Sequence, residues 1–173
     1  AASYYLSYLY RTINALISGA LVSDFGLSAA DLGVLTAVLF LTFGALQLPL
    51  GAWLDRFGPR CVQAVLLSIA AIGAAIFACA YGLFGLILGR ALIGLGVAGA
   101  LMAGLKALVL WFPTERIALA NGWLIAFGTL GAVTATAPAE ILITFIGWRG
   151  LFLLLALSSV IAALLILRFV PER

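Results

Sequence analysis

An all-α membrane protein is the fold class this sequence predicts, with six transmembrane helices arranged as two inverted three-helix repeats. Three observations carry the prediction. Of the 173 residues, 66% are hydrophobic and 9% charged, against about 25% charged in soluble domains, so the chain cannot cover itself with polar surface. The apolar runs are long, and a spanning helix needs about 20 such residues. Finally, Pro49, Gly58 and Arg60 recur at the same spacing, 89 residues later, as Pro138, Gly147 and Arg149. An odd number of spans separates the copies, so the second is upside down, as in the building units of many secondary transporters.

The whole chain, 1–173, reads as one bundle with spans at about 4–22, 30–50, 61–82, 84–110, 118–143 and 150–169. Helices are expected because backbone groups in lipid must be satisfied within their own segment. A membrane barrel would alternate apolar and polar residues, which these runs do not. The first run is not a signal peptide, since Arg11, Thr12 and Asn14 interrupt it. No initiator Met is present, and a trimmed N-terminus is expected from that.

Span one carries Ser3, Ser7, Arg11, Asn14 and Ser18 on a single helical stripe. Lipid does not tolerate such a stripe, and an intramembrane Arg turns to a bundle interior or wet cavity. Span two opens at Ser28 and Asp31, which have the spacing of a helix capping box. Next comes "GAWLDRFGPR", residues 51–60, a polar interruption expected to form a tight loop. Span three is plain apolar. Its Cys61 and Cys79 would lie about 27 Å apart along a helix and cannot pair with each other. Span four holds Arg90, then small residues at Gly96, Ala100 and Gly104 that permit close helix approach. Lys106 lies near its end and is expected to snorkel. On span five Glu140 shares a stripe with Thr129 and Thr136; it is a candidate proton carrier, with an outer-gate or interfacial residue as the alternatives. Span six is again nearly plain apolar.

Charge sets the orientation. Arg56, Arg60, Arg116, Arg168 and Arg173 collect on one side, with Lys106 close by, while Arg149 sits on the other with Asp24 and Asp31. By the positive-inside rule the first side is cytoplasmic, and both chain ends face it. The net charge of +3 is dispersed and is no nucleic-acid footprint. Without His, and without a Cys or carboxylate cluster, neither a metal site nor a cofactor is expected. No nucleophile sits with a base, so an enzyme is not expected either.

"GAWLDRFGPR" resembles the signature of the major facilitator superfamily, carried by Gly51, Asp55, Arg56, Gly58 and Arg60. "GRALIGLGVAGA" is similar to the family's fourth-span pattern through Arg90, Gly94 and Gly96. "WFPTERIALANG" and "GWRGLF" are similar to its turns before spans five and six. The resemblance covers the whole chain but half of the family's twelve spans. It implies that spans one and four line a central cavity, two and five pack across the interface between halves, and three and six brace from outside. It also implies that Asp55 and its neighbours latch the two halves together at the cytoplasmic face. A carboxylate opposite a helix N-terminus supplies a physical reason, stabilising by up to about 2 kcal/mol when partly buried; topology anchoring is the alternative. Trp53 and Pro59 depart from the pattern and weaken the expected latch.

"YYLSYLYRTINAL" resembles the first span of facilitators that carry organic anions or organic phosphates. A guanidinium in a low-dielectric cavity suits bidentate capture of carboxylate or phosphate. Arg11 is therefore the main candidate substrate-binding residue, with Tyr4, Ser7, Tyr8, Asn14 and Arg90 around the ligand; snorkelling of Arg11 to the cytoplasmic face is the alternative, and for Arg90 a structural or proton-linked role or plain helix-to-helix hydrogen bonding. The glycine-rich fifth-span pattern of drug exporters is absent from "FGTLGAVTATAPAEIL". The expected function is secondary transport of a small organic anion, by symport with an ion, in the bacterial inner membrane. An exporter of the same fold and a non-transporting scaffold or receptor remain the alternatives. Expected partners are lipid, the substrate and a second six-helix half, either a missing C-terminal domain or a second copy. "RFVPER" resembles the start of the family's linker between halves, which favours the former.

Overall fold

The computed structural model describes residues 1–170. Arg173, and the last three residues of "RFVPER", lie outside the described residues. Six helical elements follow in order: α1 (Ala2–Phe25), α2 (Ala29–Ala78), α3 (Leu83–Val97), α4 (Ala100–Trp111), α5 (Thr114–Thr134) and α6 (Ala137–Phe169).

α1 stops at Gly26, which takes the left-handed conformation at φ 64° and returns its N–H to the Val22 carbonyl. Two residues later α2 starts at the expected capping box. The Ser28 hydroxyl accepts from the Asp31 N–H at 3.2 Å, and the Asp31 carboxylate accepts from the Ser28 N–H at 2.8 Å.

The 50 residues of α2 would make a straight rod of about 75 Å, more than twice the hydrocarbon thickness of a bilayer. The rod is broken at Gly58, where φ is 74° and ψ 159°. That conformation is essentially reserved for glycine. The arms double back on each other: Leu50 Cδ1 and Leu66 Cδ1 lie 3.5 and 2.4 Å from one point, where a Cβ on Gly99 would stand. On a straight helix they would be about 24 Å apart. The ten-residue loop expected over 51–60 is thus a helix through Phe57 and a one-residue reversal. Pro59, with its fixed φ and missing N–H, suits the first position of the returning arm.

α6 repeats the device at Gly147, with φ 71° and ψ 169°, 89 residues after Gly58. The run expected as a single span over 118–143 is itself interrupted. α5 ends at Thr134, and Pro138 in the first turn of α6 has no N–H with which to extend it. The hydroxyls of Thr134 and Thr136 bond the carbonyls of Leu130 and Val133, a local alternative to the helical ladder. A further interruption separates α3 from α4 at Ala98 and Gly99. It is buried, and the Val97 and Ala98 carbonyls beside it accept from Ser7 Oγ at 3.2 Å and Gln47 Nε2 at 3.1 Å.

α2 packs mainly on α3 and α6, and α1 on α5. Glycine permits two close crossings. A Cβ on Gly94 of α3 would come within 2.2 Å of Thr42 Oγ1, and one on Gly131 of α5 within 2.2 Å of the Tyr5 carbonyl. Four helical stretches are long and apolar enough to cross a membrane: Ala29–Ala78, Leu83–Trp111, Thr114–Thr134 and Ala137–Phe169. Large apolar side chains such as Leu48, Phe84 and Phe145 point outward, as lipid solvation requires. The chain is an integral membrane protein.

Candidate functional site

The polar stripe of α1 divides between two environments. Arg11 is half-buried and its guanidinium carbon lies 5.0 Å from the Phe43 ring centre, 5.1 Å from Tyr8 and 5.7 Å from Phe40. Ring faces at such distances attract a cation without using its N–H donors. Arg11 lines a cavity of about 620 Å³ together with Asn14, Ser18 and Thr36. Tyr4 stands edge-on to Tyr8 at 5.0 Å, and its hydroxyl donates to that of Tyr8 at 3.4 Å. Tyr8 therefore joins Arg11 to a second aromatic layer. Ser7 is turned away to the Val97 carbonyl, where it closes the α3–α4 interruption.

Arg90 is fully buried. Its Nη2 donates to Asn14 Oδ1 at 2.6 Å and its Nη1 to the Tyr10 carbonyl at 3.4 Å. The rings of Phe77 and Phe152 lie 4.6 and 5.5 Å away. Asn14 in turn donates to Thr36 Oγ1. Asn14 thus stands on the cavity wall with Arg90 behind it, and Arg90 reaches the cavity through that amide.

In the 51–60 segment, Asp55 is largely exposed and pairs with Lys106 Nζ, which also donates to the Leu54 carbonyl at 2.7 Å. Lys106, expected to snorkel, is held by the 51–60 segment. Arg56 lies over the Phe57 ring at 5.2 Å. Arg60 donates to the Leu167 carbonyl at the end of α6, and Arg149 donates to the Ala78 carbonyl at the end of α2, at 2.7 Å for the latter. Gly51 lies in the helical arm before the break, and Gly58 forms the break itself. Glu140 is exposed in the first turn of α6, separated from Thr129 by the end of α5.

The sequence profile of the Major Facilitator Superfamily matches residues 1–173. The chain belongs to the Major Facilitator Superfamily. Among its relatives, the uncharacterized transporter YybO of Bacillus subtilis is 31% identical over 97% of this chain and 39% of its own length. The probable L-galactonate transporter of Escherichia coli is 26% identical over 92% of the chain and 35% of its own length. The probable sulfoacetate transporter SauU of Cupriavidus necator is 27% identical over 90% and 36%. The chain therefore spans under two fifths of the length of these curated relatives. A solved bacterial homolog of the human lysosomal transporter Spinster, inward-facing and occupied, superposes with a TM-score of 0.87 at 22% identity, over 98% of this chain and 42% of that one. These relatives are transporters, not enzymes.

For this Major Facilitator chain, the helical stripe already brought Arg11 and Asn14 together. The aromatic ring around Arg11 was half legible: Tyr8 lies one turn away, whereas Phe40 and Phe43 come from α2 and no local period announces them. The Asp55–Lys106 pair joins residues 51 positions apart. Its signal was the shared side of the membrane.

Proposed function

We propose that this chain is the N-terminal half of a secondary active transporter that moves a small organic anion by alternating access, coupled to an ion gradient. The observation that carries the reading is Arg11: a half-buried guanidinium cradled by three aromatic rings, on the wall of a cavity of about 620 Å³. Ring faces stabilise its charge and leave its planar N–H fork for a carboxylate or phosphate. Tyr4, Tyr8 and Asn14 orient the ligand, and Arg90 backs Asn14. Ser7 serves the substrate indirectly, by fixing the neighbouring interruption. The names of the galactonate and sulfoacetate relatives support an anionic cargo.

In this reading the six spans are α1, the two arms of α2, α3 with α4, α5 with the first arm of α6, and the second arm of α6. They form two inverted triplets. Support comes from reciprocal contacts under the 89-residue offset. Arg60 with Leu167 maps onto Arg149 with Ala78, and Thr42 with Gly94 maps onto Gly131 with Tyr5. Reciprocal pairs of this kind are what a two-fold relation produces. Both chain ends are cytoplasmic in an inner membrane, Glu140 is the candidate coupling acid, and the Asp55 segment latches this half to a second one. Lipid surrounds the bundle.

The test is uptake by the full-length protein in proteoliposomes across a panel of labelled sugar acids and sulfonates. Arg11→Ala should cut substrate affinity at least tenfold, the equivalent of about 1.4 kcal/mol. Arg11→Lys, which keeps the charge and loses the fork, should recover only part of it. Unchanged uptake by Arg11→Ala would refute the assignment.

A further inference from the structure

Beside the α3–α4 interruption lies a second, smaller cavity of about 190 Å³, walled by Ser3, Gln63, Ala100, Gly104, Trp111 and Ile166 among others. Gln63 is 5% exposed. Neither its Oε1 nor its Nε2 has a hydrogen-bond partner among the described residues, and the same holds for the buried Nε1 of Trp111. The amide oxygen reaches the interruption itself, 3.3 Å from where a Cβ on Gly99 would stand.

A buried amide and indole left without partners carry their full desolvation penalty, and native proteins meet such groups with protein or ordered water. The chemistry on the wall selects the occupant. Arg60 and Ala1 also stand on the wall, so its charge does not by itself turn an anion away; an anion would satisfy Trp111 Nε1 and Gln63 Nε2 but leave Gln63 Oε1 without a donor. A cation would do the reverse, and among the described residues no carboxylate lines the cavity to hold one. Interchanging the amide's N and O changes nothing, because the group always presents both. Water both donates and accepts, as the three atoms together require. The space is large enough for a small group of waters.

We infer that this cavity is a resident water site, in which Gln63 and Trp111 hold a small cluster against the Ala98–Gly99 interruption. The carbonyls of Val97 and Ala98 are met by direct bonds from Ser7 and Gln47. The Gly99 carbonyl accepts from the Ala103 N–H at 2.8 Å, so the groups left for water are the Gln63 amide and the Trp111 indole. The inference stands independently of the transport reading, since it rests on unpartnered polar atoms and cavity chemistry.

The experiment is water-edited solid-state NMR on the full protein in lipid, with 15N-labelled tryptophan and isoleucine. The Trp111 Nε1–H, assigned by Trp111→Phe, should receive magnetisation from water several-fold faster than the backbone N–H of the fully buried Ile93. Gln63→Leu should slow that transfer several-fold, with Gln63→Met as the substitute if the leucine variant folds poorly. Transfer to Trp111 no faster than to Ile93 would overturn the proposal, and so would a fast transfer that the Gln63 variants leave unchanged.

Discussion

Arg90 is an enclosed cation, met by two oxygens and two ring faces, and among the described residues no carboxylate pairs with it. Asn14 supplies the shorter of its two hydrogen bonds, so the stability of the bundle should depend on that amide more than an asparagine on a cavity wall would suggest. Asn14→Leu leaves the buried charge short of a partner and should destabilise by about 1.5–3 kcal/mol, the range for a hydrogen bond to a charged group. Adding Arg90→Met should recover most of the loss, because a well-packed apolar group can replace a buried charge at little cost. Unfolding of both variants in detergent measures this; equal stabilities would show that the two residues are uncoupled. At this scale the sequence was informative about faces and silent about neighbours. Spacing put Ser3, Ser7, Arg11, Asn14 and Ser18 on one stripe, yet nothing in a helical period says that Ser7 meets Val97 while Asn14 meets Arg90. Those partners come from a distant span.

The elements show the same division between local and distant information. Ser28 and Asp31 announced the start of α2, because a cap is written within four residues. The break at Gly58 is legible in the sequence but its one-residue length is not, since charge and glycine content mark an interface with water as strongly as they mark a turn. Only one residue in fact leaves the helical region. Nothing lies within 4 Å of a Cβ added at Gly58 or Gly147, so substitution there meets no steric clash and reports backbone strain alone. Gly58→Ala and Gly147→Ala should each cost about 1–3 kcal/mol, visible as a lowered Tm in detergent, and to a similar extent, since their dihedrals nearly coincide. An unchanged Tm would mean the reversal relocates to a neighbouring residue. The end of α5 at Thr134 was hidden for another reason: small apolar residues run on through Ala135 and Ala137, and hydropathy does not register a kink.

For the molecule as a whole, the Asp55–Lys106 pair lets folding be tested apart from the proposed gating. The pair is exposed on its carboxylate side, with 81% of the Asp55 side chain accessible, and exposed pairs contribute about 0–1 kcal/mol. Asp55→Asn should therefore leave the Tm almost unchanged, while turnover in proteoliposomes falls if the carboxylate latches a second half. A large drop in Tm with normal flux per folded molecule would reverse the assignment and make the pair structural. The 89-residue offset was visible as three matched residues. Its partners, Leu167 and Ala78, belong to apolar runs in which no position stands out, so reciprocity could be seen only once the arms were in place.

A reversal made by one residue stores no spare length. Each residue added after Phe57 would turn the arm 59–78 by about 100° about its own axis. Arg60 would then swing away from Leu167, and Gln63 away from Gly99. Surface loops commonly absorb insertions, but this corner counts residues: the chain keeps its register there as a screw keeps its thread, and length at Gly58 is as constrained as side-chain identity.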